Sequence, residues 1–251
     1  DQLKMGRTHL QDAVPMTAGQ EFNAFATMVK KEMARIESTR ALFHEINMGG
    51  TAIGTGLNAP AGYSELCAET LQELTGRPYY IAEDLIESTQ DTSAYVALSG
   101  NLRLFAARLS KIAHDLRLQS SGPRAGLAQY RLPEMQPGSS IMPGKVNPVI
   151  LEVVNQACFH VMGIDTTIVM ASENAQLQLN VFEPVIAFNL FTGMSMMANI
   201  CEIFATRCID GVMMNNEACN TEVFNNIGLV TALNPHLGYE SSTYVARKAQ
   251  E

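Results

Sequence analysis

Helical spacing of apolar residues, sustained over several long stretches, constrains this chain more than any other feature. Between Gln20 and Met48 the residues Phe22, Phe25, Met28, Val29, Met33, Ile36, Phe43 and Ile46 recur at steps of three and four, with Glu and Lys between them. Gly49-Gly50 predicts the end of that helix. A second run starts between Ser88 and Ser93 and ends at Gln119; its stripe is Leu98, Leu102, Phe105, Leu109, Ile112 and Leu116. Ser120-Ser121-Gly122-Pro123 breaks it. Further helices are predicted over 63–75, 148–172, 175–209 and 216–231, and from 239 onward. Segments 51–62 and 124–147, rich in Gly and Pro, read as loops, and no stretch alternates with period two over a useful length. The expected fold is all-α, a long-helix bundle.

The 251 residues are 47% apolar and 17% charged, enough to bury a sizeable core. A net charge of −8 argues against a non-specific nucleic-acid binder, which needs a basic face. It leaves room for an anionic substrate in a small cationic pocket. Cys67, Cys158, Cys201, Cys208 and Cys219 are dispersed, with no CxxC pair; they read as free thiols of a reducing, cytoplasmic compartment. No stretch is expected to be long and apolar enough to cross a membrane. Helices this apolar predict contacts between copies. The five His residues are scattered and no His, Cys and carboxylate set has ligand spacing, so neither a metal nor an organic cofactor is expected.

Two segments carry chemistry. The first is Gly138-Ser139-Ser140-Ile141-Met142-Pro143-Gly144-Lys145-Val146-Asn147-Pro148. Its glycines give a mobile loop, Ser139 and Ser140 offer hydroxyls, and Lys145 and Asn147 stand just before an expected helix start at Pro148. Asn is a favoured N-cap, and a helix N-terminus beside a Lys suits a carboxylate. A bare Gly-Ser-Ser would be a linker; the full run is more specific. The second is Met5-Gly6-Arg7-Thr8-His9-Leu10-Gln11-Asp12-Ala13-Val14-Pro15, whose Thr-His pair could on its own be a simple helix cap.

Both runs resemble the signature segments of the aspartase/fumarase superfamily, and the resemblance extends over essentially the whole chain. Gly49 to Asn58 resembles that family's Gly-rich connection, and Asn234 to Tyr239 its turn near the end of the central domain. The resemblance implies a central helical-bundle domain over 1–231 holding both active-site loops, and the start of a C-terminal small domain over 232–251. It implies a homotetramer whose active sites are shared between subunits, with a third Ser/Thr/Asn-rich segment lying outside this sequence. The chain is therefore expected to be part of a longer one, and inactive alone.

The implied chemistry is elimination from a four-carbon dicarboxylate through an aci-carboxylate. Ser139 is then the base, with a hydroxyl acidified by Lys145, backbone N–H groups and the helix dipole; Ser140 is the alternative base or, by the family pattern, a binding group. Thr8 and His9 are expected to hold one carboxylate, and Lys145 and Asn147 the other, with Met142 also in the binding loop. Glu152 either pairs with the His or compensates the helix dipole. The flanks Leu118 to Leu127, Val149 to Gln156 and Gln176 to Pro184 resemble the branch that releases ammonia from aspartate. Hydration of fumarate, and a non-catalytic scaffold, remain the alternatives.

Overall fold

The computed structural model describes residues 2–250, which are dominated by helix. The helices are α1 (Ala18–Thr39), α2 (Tyr63–Thr75), α3 (Leu85–Ser88), α4 (Ser93–Gln119), α5 (Val149–Glu173), α6 (Glu183–Arg207), α7 (Asn216–Phe224), α8 (Asn234–Leu237) and α9 (Tyr239–Gln250). The expected all-α bundle is thus the dominant architecture.

The chain forms two compact units. One comprises Val29–Lys111 and Val153–Glu202. Its core is the apolar stripes of α4, α5 and α6: Leu102, Ala106 and Leu109, then Val154, Cys158, Val161, Ile164 and Ile168, then Ile186, Leu190, Met197 and Ile200. Two polar ties run between these helices. Ser99 Oγ donates to Asp165 Oδ1 (2.7 Å), and Asn155 Nδ2 donates to the Ser110 carbonyl (3.0 Å) and hydroxyl (2.9 Å). A buried polar pair of this kind fixes the register of two packed helices, because a slip would leave both groups unsatisfied.

The other unit comprises Asp1–Met28, Ile112–Glu152 and Ile203–Glu251. It contains strands where none was expected, an antiparallel hairpin of β1 (Leu3–Thr8) and β2 (Gln11–Thr17). Alternation is hidden there because Lys4 and Met5 are both buried, and because the register slips between Met5 and Arg7. Gly6 permits the slip: a Cβ there would stand 2.9 Å from the Val14 carbonyl. Short ladders join β3 (Glu45–Ile46) in parallel to β4 (Tyr80–Ile81), and β5 (Tyr130–Arg131) antiparallel to β6 (Met213–Met214).

Helix limits differ from expectation where side chains compete with the backbone ladder. α1 ends at Thr39, short of Met48, where the Ser38 and Thr39 hydroxyls donate to the Arg35 and Ile36 carbonyls; a 3-10 turn over Arg40–Phe43 follows. α6 begins at Glu183 rather than 175. Asn180 Nδ2 donates to the Ala171 carbonyl (3.2 Å) while its Oδ1 accepts from Phe182 N (2.8 Å), holding the preceding segment in a turn. Glu183–Gly211 is also long and apolar enough to cross a membrane, with a window hydropathy of 1.3, contrary to the sequence expectation. Residues 184–201 contain no charged side chain, and scattered Asn, Thr, Ser and Gly masked that fact.

Candidate active site

The Ser139 loop lies between β5 and α5, in the unit that also carries the hairpin. Its neck is narrow. A Cβ on Gly138 would overlap the Lys145 carbonyl, so only glycine lets the two limbs approach this closely. Asn147 Nδ2 donates to the Gly138 carbonyl at 2.8 Å and clasps the neck shut. This corrects the expectation that Asn147 caps the helix. The helix starts at Val149, and the Pro148 carbonyl accepts its first bond, from Glu152 N at 3.1 Å. Asn147 keeps its Oδ1 and a second amide hydrogen for other partners.

Inside the loop, Ser139 Oγ accepts from the backbone N–H groups of Ile141 and Met142, both at 3.1 Å. Two donors aimed at one hydroxyl oxygen favour its anionic form, which a serine base requires. Ser139 is half-buried, whereas Ser140, Met142 and Lys145 are exposed. Lys145 has no acidic partner among the described residues, so its charge is available to an incoming anion. At the loop's foot, Pro133, Asn147, Pro148, Leu151, Arg207 and Cys208 line a void of about 10 Å³, room for no more than a water.

Thr8 and His9 lie at the tip of the hairpin, which replaces the helix cap that the Thr-His pair suggested. Thr8 pairs with Gln11, leaving His9 and Leu10 as a two-residue turn with φ of 54° and 62°. Two successive left-handed residues make the tight hairpin turn that usually takes Asn-Gly. For residues with a Cβ the conformation costs about 1–2 kcal/mol each. The strained turn presents the exposed imidazole outward.

Glu152 forms an ion pair with Arg117, 3.7 Å between Nη2 and Oε1, at a partly exposed position. Among the described residues, no hydrogen bond or ion pair joins Thr8 or His9 to Ser139, Lys145, Asn147 or Glu152. The expected residues therefore form two groups, the hairpin tip and the loop with the start of α5. Sequence reasoning gave no role to Lys4, Arg7, Glu21 and Glu222, which anchor the hairpin's root. Their signal was faint: a Lys and an Arg three apart in a segment otherwise unremarkable for charge.

The helical scaffold thus carries a clasped loop on which a half-buried serine faces two backbone donors and a lysine is exposed. Comparison with known proteins places this scaffold in a family. A family model described as lyase matches residues 1–163. The aspartate ammonia-lyase of Helicobacter pylori is 56% identical over 247 residues, which cover 98% of this chain and 53% of the relative. That of Escherichia coli is 54% identical over 251 residues, covering 100% and 52%. Among solved structures, a Brucella melitensis protein described as "fumarate lyase:delta crystallin", bound to cobalt, superposes with a TM-score of 0.95 at 50% identity, covering 99% of this chain and 54% of that one. A class II fumarase from Schistosoma mansoni superposes with a TM-score of 0.94 at 36% identity, covering 99% and 55%. The chain belongs to the lyase family, within the aspartase/fumarase superfamily. It spans about half the length of the curated relatives it matches.

Proposed function

We propose that the full protein containing this chain is a carbon–nitrogen lyase that converts L-aspartate reversibly to fumarate and ammonia. The observation that carries this reading is identity above 50%, over nearly the whole chain, to aspartate ammonia-lyases. Ser139, Lys145, Asn147, Thr8 and His9 all stand where the signature segments require them.

The hydrogen on the carbon beside the β-carboxylate is a very weak acid. Its removal becomes accessible when the electron pair spreads into that carboxylate as an aci-carboxylate, stabilised by surrounding positive polarity. In this reading Thr8 and His9 hold the β-carboxylate and favour its second negative charge. Lys145 and the second amide hydrogen of Asn147 hold the α-carboxylate. Ser140 and Met142 shape the loop over the substrate. Ser139, its oxygen facing two backbone donors, takes the proton; collapse of the aci-carboxylate then expels ammonia. Closure of the loop excludes water while the charge is localised.

The assembly that fits this mechanism is a homotetramer in which the hairpin tip and the loop of different subunits face one substrate. Glu152 then pairs with the His9 of a neighbouring subunit and sets its tautomer. Phe188 and Phe191 on α6, 70% and 67% exposed in the single chain, give that assembly an apolar face to bury. The free thiols fit a cytoplasmic protein, and 1–231 and 232–251 correspond to the central domain and the start of the small one.

A second reading, fumarate hydration, is favoured by the likeness to the class II fumarase. Supplying the full-length protein with L-aspartate and with L-malate, and following fumarate by ultraviolet absorbance, separates the two. Turnover of aspartate is expected. Turnover of malate alone replaces the proposal with the second reading, and turnover of neither replaces it with a non-catalytic scaffold.

A further inference from the structure

The hairpin that carries Thr8 and His9 buries Met5 and packs β1 against α7 and β2 against the 3-10 turn Ile227–Leu233, but its tip extends beyond that packing with Thr8, His9 and Leu10 exposed. An isolated two-stranded ribbon is marginal in water, and the turn at its tip adds strain. At its root, however, the strand β1 enters a buried network of charges. Lys4, with a side chain 3% exposed, places Nζ 2.8 Å from Glu21 Oε2 on α1 and donates to Gln119 Oε1 at the end of α4. Tyr130 Oη on β5 donates to the same Glu21 oxygen at 2.8 Å, and Gln119 Nε2 donates to the other at 3.1 Å. The Lys4 ammonium also stands 5.2 Å from the centre of the Tyr130 ring.

Three residues on, Arg7 Nη2 lies 3.1 Å from Glu222 Oε1 on α7, and its Nε 3.3 Å from Asp12 Oδ1 on the opposing strand. Gln129 Nε2, beside Tyr130 in sequence, donates to the other Glu222 oxygen. A flat strand would send Lys4 and Arg7 to opposite faces; the slip at Gly6 twists this one. Both cations act on one buried thiol, Cys219: burial and then Glu222 push it up, Lys4 and Arg7 pull it down, and Glu21 pushes it up further. Two cations, Lys4 and Arg7, thus meet three carboxylates, Glu21 on α1, Glu222 on α7 and Asp12 on β2, and tie the hairpin to both helices. Arg7 is the residue before Thr8, so a shift of its guanidinium passes to the tip without an intervening joint.

We propose that the Lys4–Glu21 and Arg7–Glu222 pairs are positioning residues that set the reach and direction of the Thr8–His9 tip. The proposal rests on the functional reading above for what the tip binds, and on this geometry alone for how the tip is held. Glu222 is the specific part: it anchors Arg7 from α7, a helix with no expected active-site residue.

The test uses the full-length protein with Arg7→Met, Arg7→Lys and Glu222→Gln, and with Arg40→Met as a control that breaks the exposed Arg40–Glu37 pair. Amide hydrogen exchange across residues 3–17 and the steady-state constants for L-aspartate are both measured. Arg7→Met and Glu222→Gln are expected to speed exchange at the tip and to lower kcat/KM on the order of 100-fold, mainly through KM. Arg7→Lys recovers part of the loss, and Arg40→Met changes neither reading. Unchanged tip exchange overturns the proposal, and so does faster exchange with an unchanged KM, which marks a purely structural pair. If the unmodified protein turns over neither aspartate nor malate, the functional reading fails by itself, and the exchange data still decide whether the pairs hold the tip. Glu222→Gln, nearly isosteric, keeps the test decisive should Arg7→Met fail to fold.

Discussion

Replacing Lys4 by Met should destabilise the protein far more than replacing Lys4 and Glu21 together. At 2.8 Å the pair's Coulomb attraction is roughly 6 kcal/mol for an effective dielectric of about 20. Desolvation of two nearly buried groups offsets much of that. Lys4→Met alone strands Glu21 among Tyr130 and Gln119 with no cation, a change that costs about 3–5 kcal/mol. Lys4→Met with Glu21→Gln removes both charges and retains an acceptor for Tyr130, so the double variant should lie within about 2 kcal/mol of the parent. Glu21→Gln alone is the third variant, and the double should be less destabilised than the sum of the two singles, which is the sign of coupled sites. Urea unfolding of the full-length protein, followed by circular dichroism at one fixed concentration because assembly contributes to stability, measures all three. Additive effects, with the double variant as unstable as the sum of the singles, would refute the claim that the two charges form one buried unit.

Burial pushes the Cys158 thiol up to about 12 and that of Cys208 up to about 11, against an ordinary 9.0. Each folded value lies above the unfolded one, so the associated stability is present below pH 9 and is lost as pH rises towards 11–12. The urea midpoint should fall across that window, and less steeply in Cys158→Ala; a midpoint independent of pH there contradicts the burial argument. Asn147→Ala removes the clasp on the Gly138 carbonyl, a bond of about 1 kcal/mol; kcat should drop and exchange at 139–146 accelerate, and unchanged values for both would dismiss the clasp. Lys145→Ala should raise KM and lower kcat together, and an unchanged KM would remove Lys145 from the carboxylate site.

The long helices were legible because a buried stripe must repeat every three to four residues. α2 spans Tyr63–Thr75 as its spacing predicts, closed by Gly76 in the left-handed region, and α4 ends at Gln119 as expected. The hairpin was not legible. Its turn uses His9 and Leu10 where such turns ordinarily advertise themselves with Asn and Gly, and its root buries a lysine that local patterning assigns to solvent. The start of α6 at Glu183 was hidden because Asn180 reaches back nine residues to the Ala171 carbonyl, a contact that helical periodicity does not encode. At the loop, Ser139 and Lys145 were visible as types of residue in a recognisable order. The clasp that Asn147 makes was not, since its partner Gly138 lies nine positions back across a closed neck.

Ser139, as the proposed base, takes the hydrogen from the carbon beside the β-carboxylate. Incubating the full-length protein and its Ser139→Ala form with L-aspartate in heavy water, and following deuterium entry at that carbon by nuclear magnetic resonance, isolates the step from release of ammonia. The parent should incorporate deuterium and form fumarate, while Ser139→Ala binds aspartate and incorporates none. Incorporation by Ser139→Ala at the parent's rate would show that another group is the base.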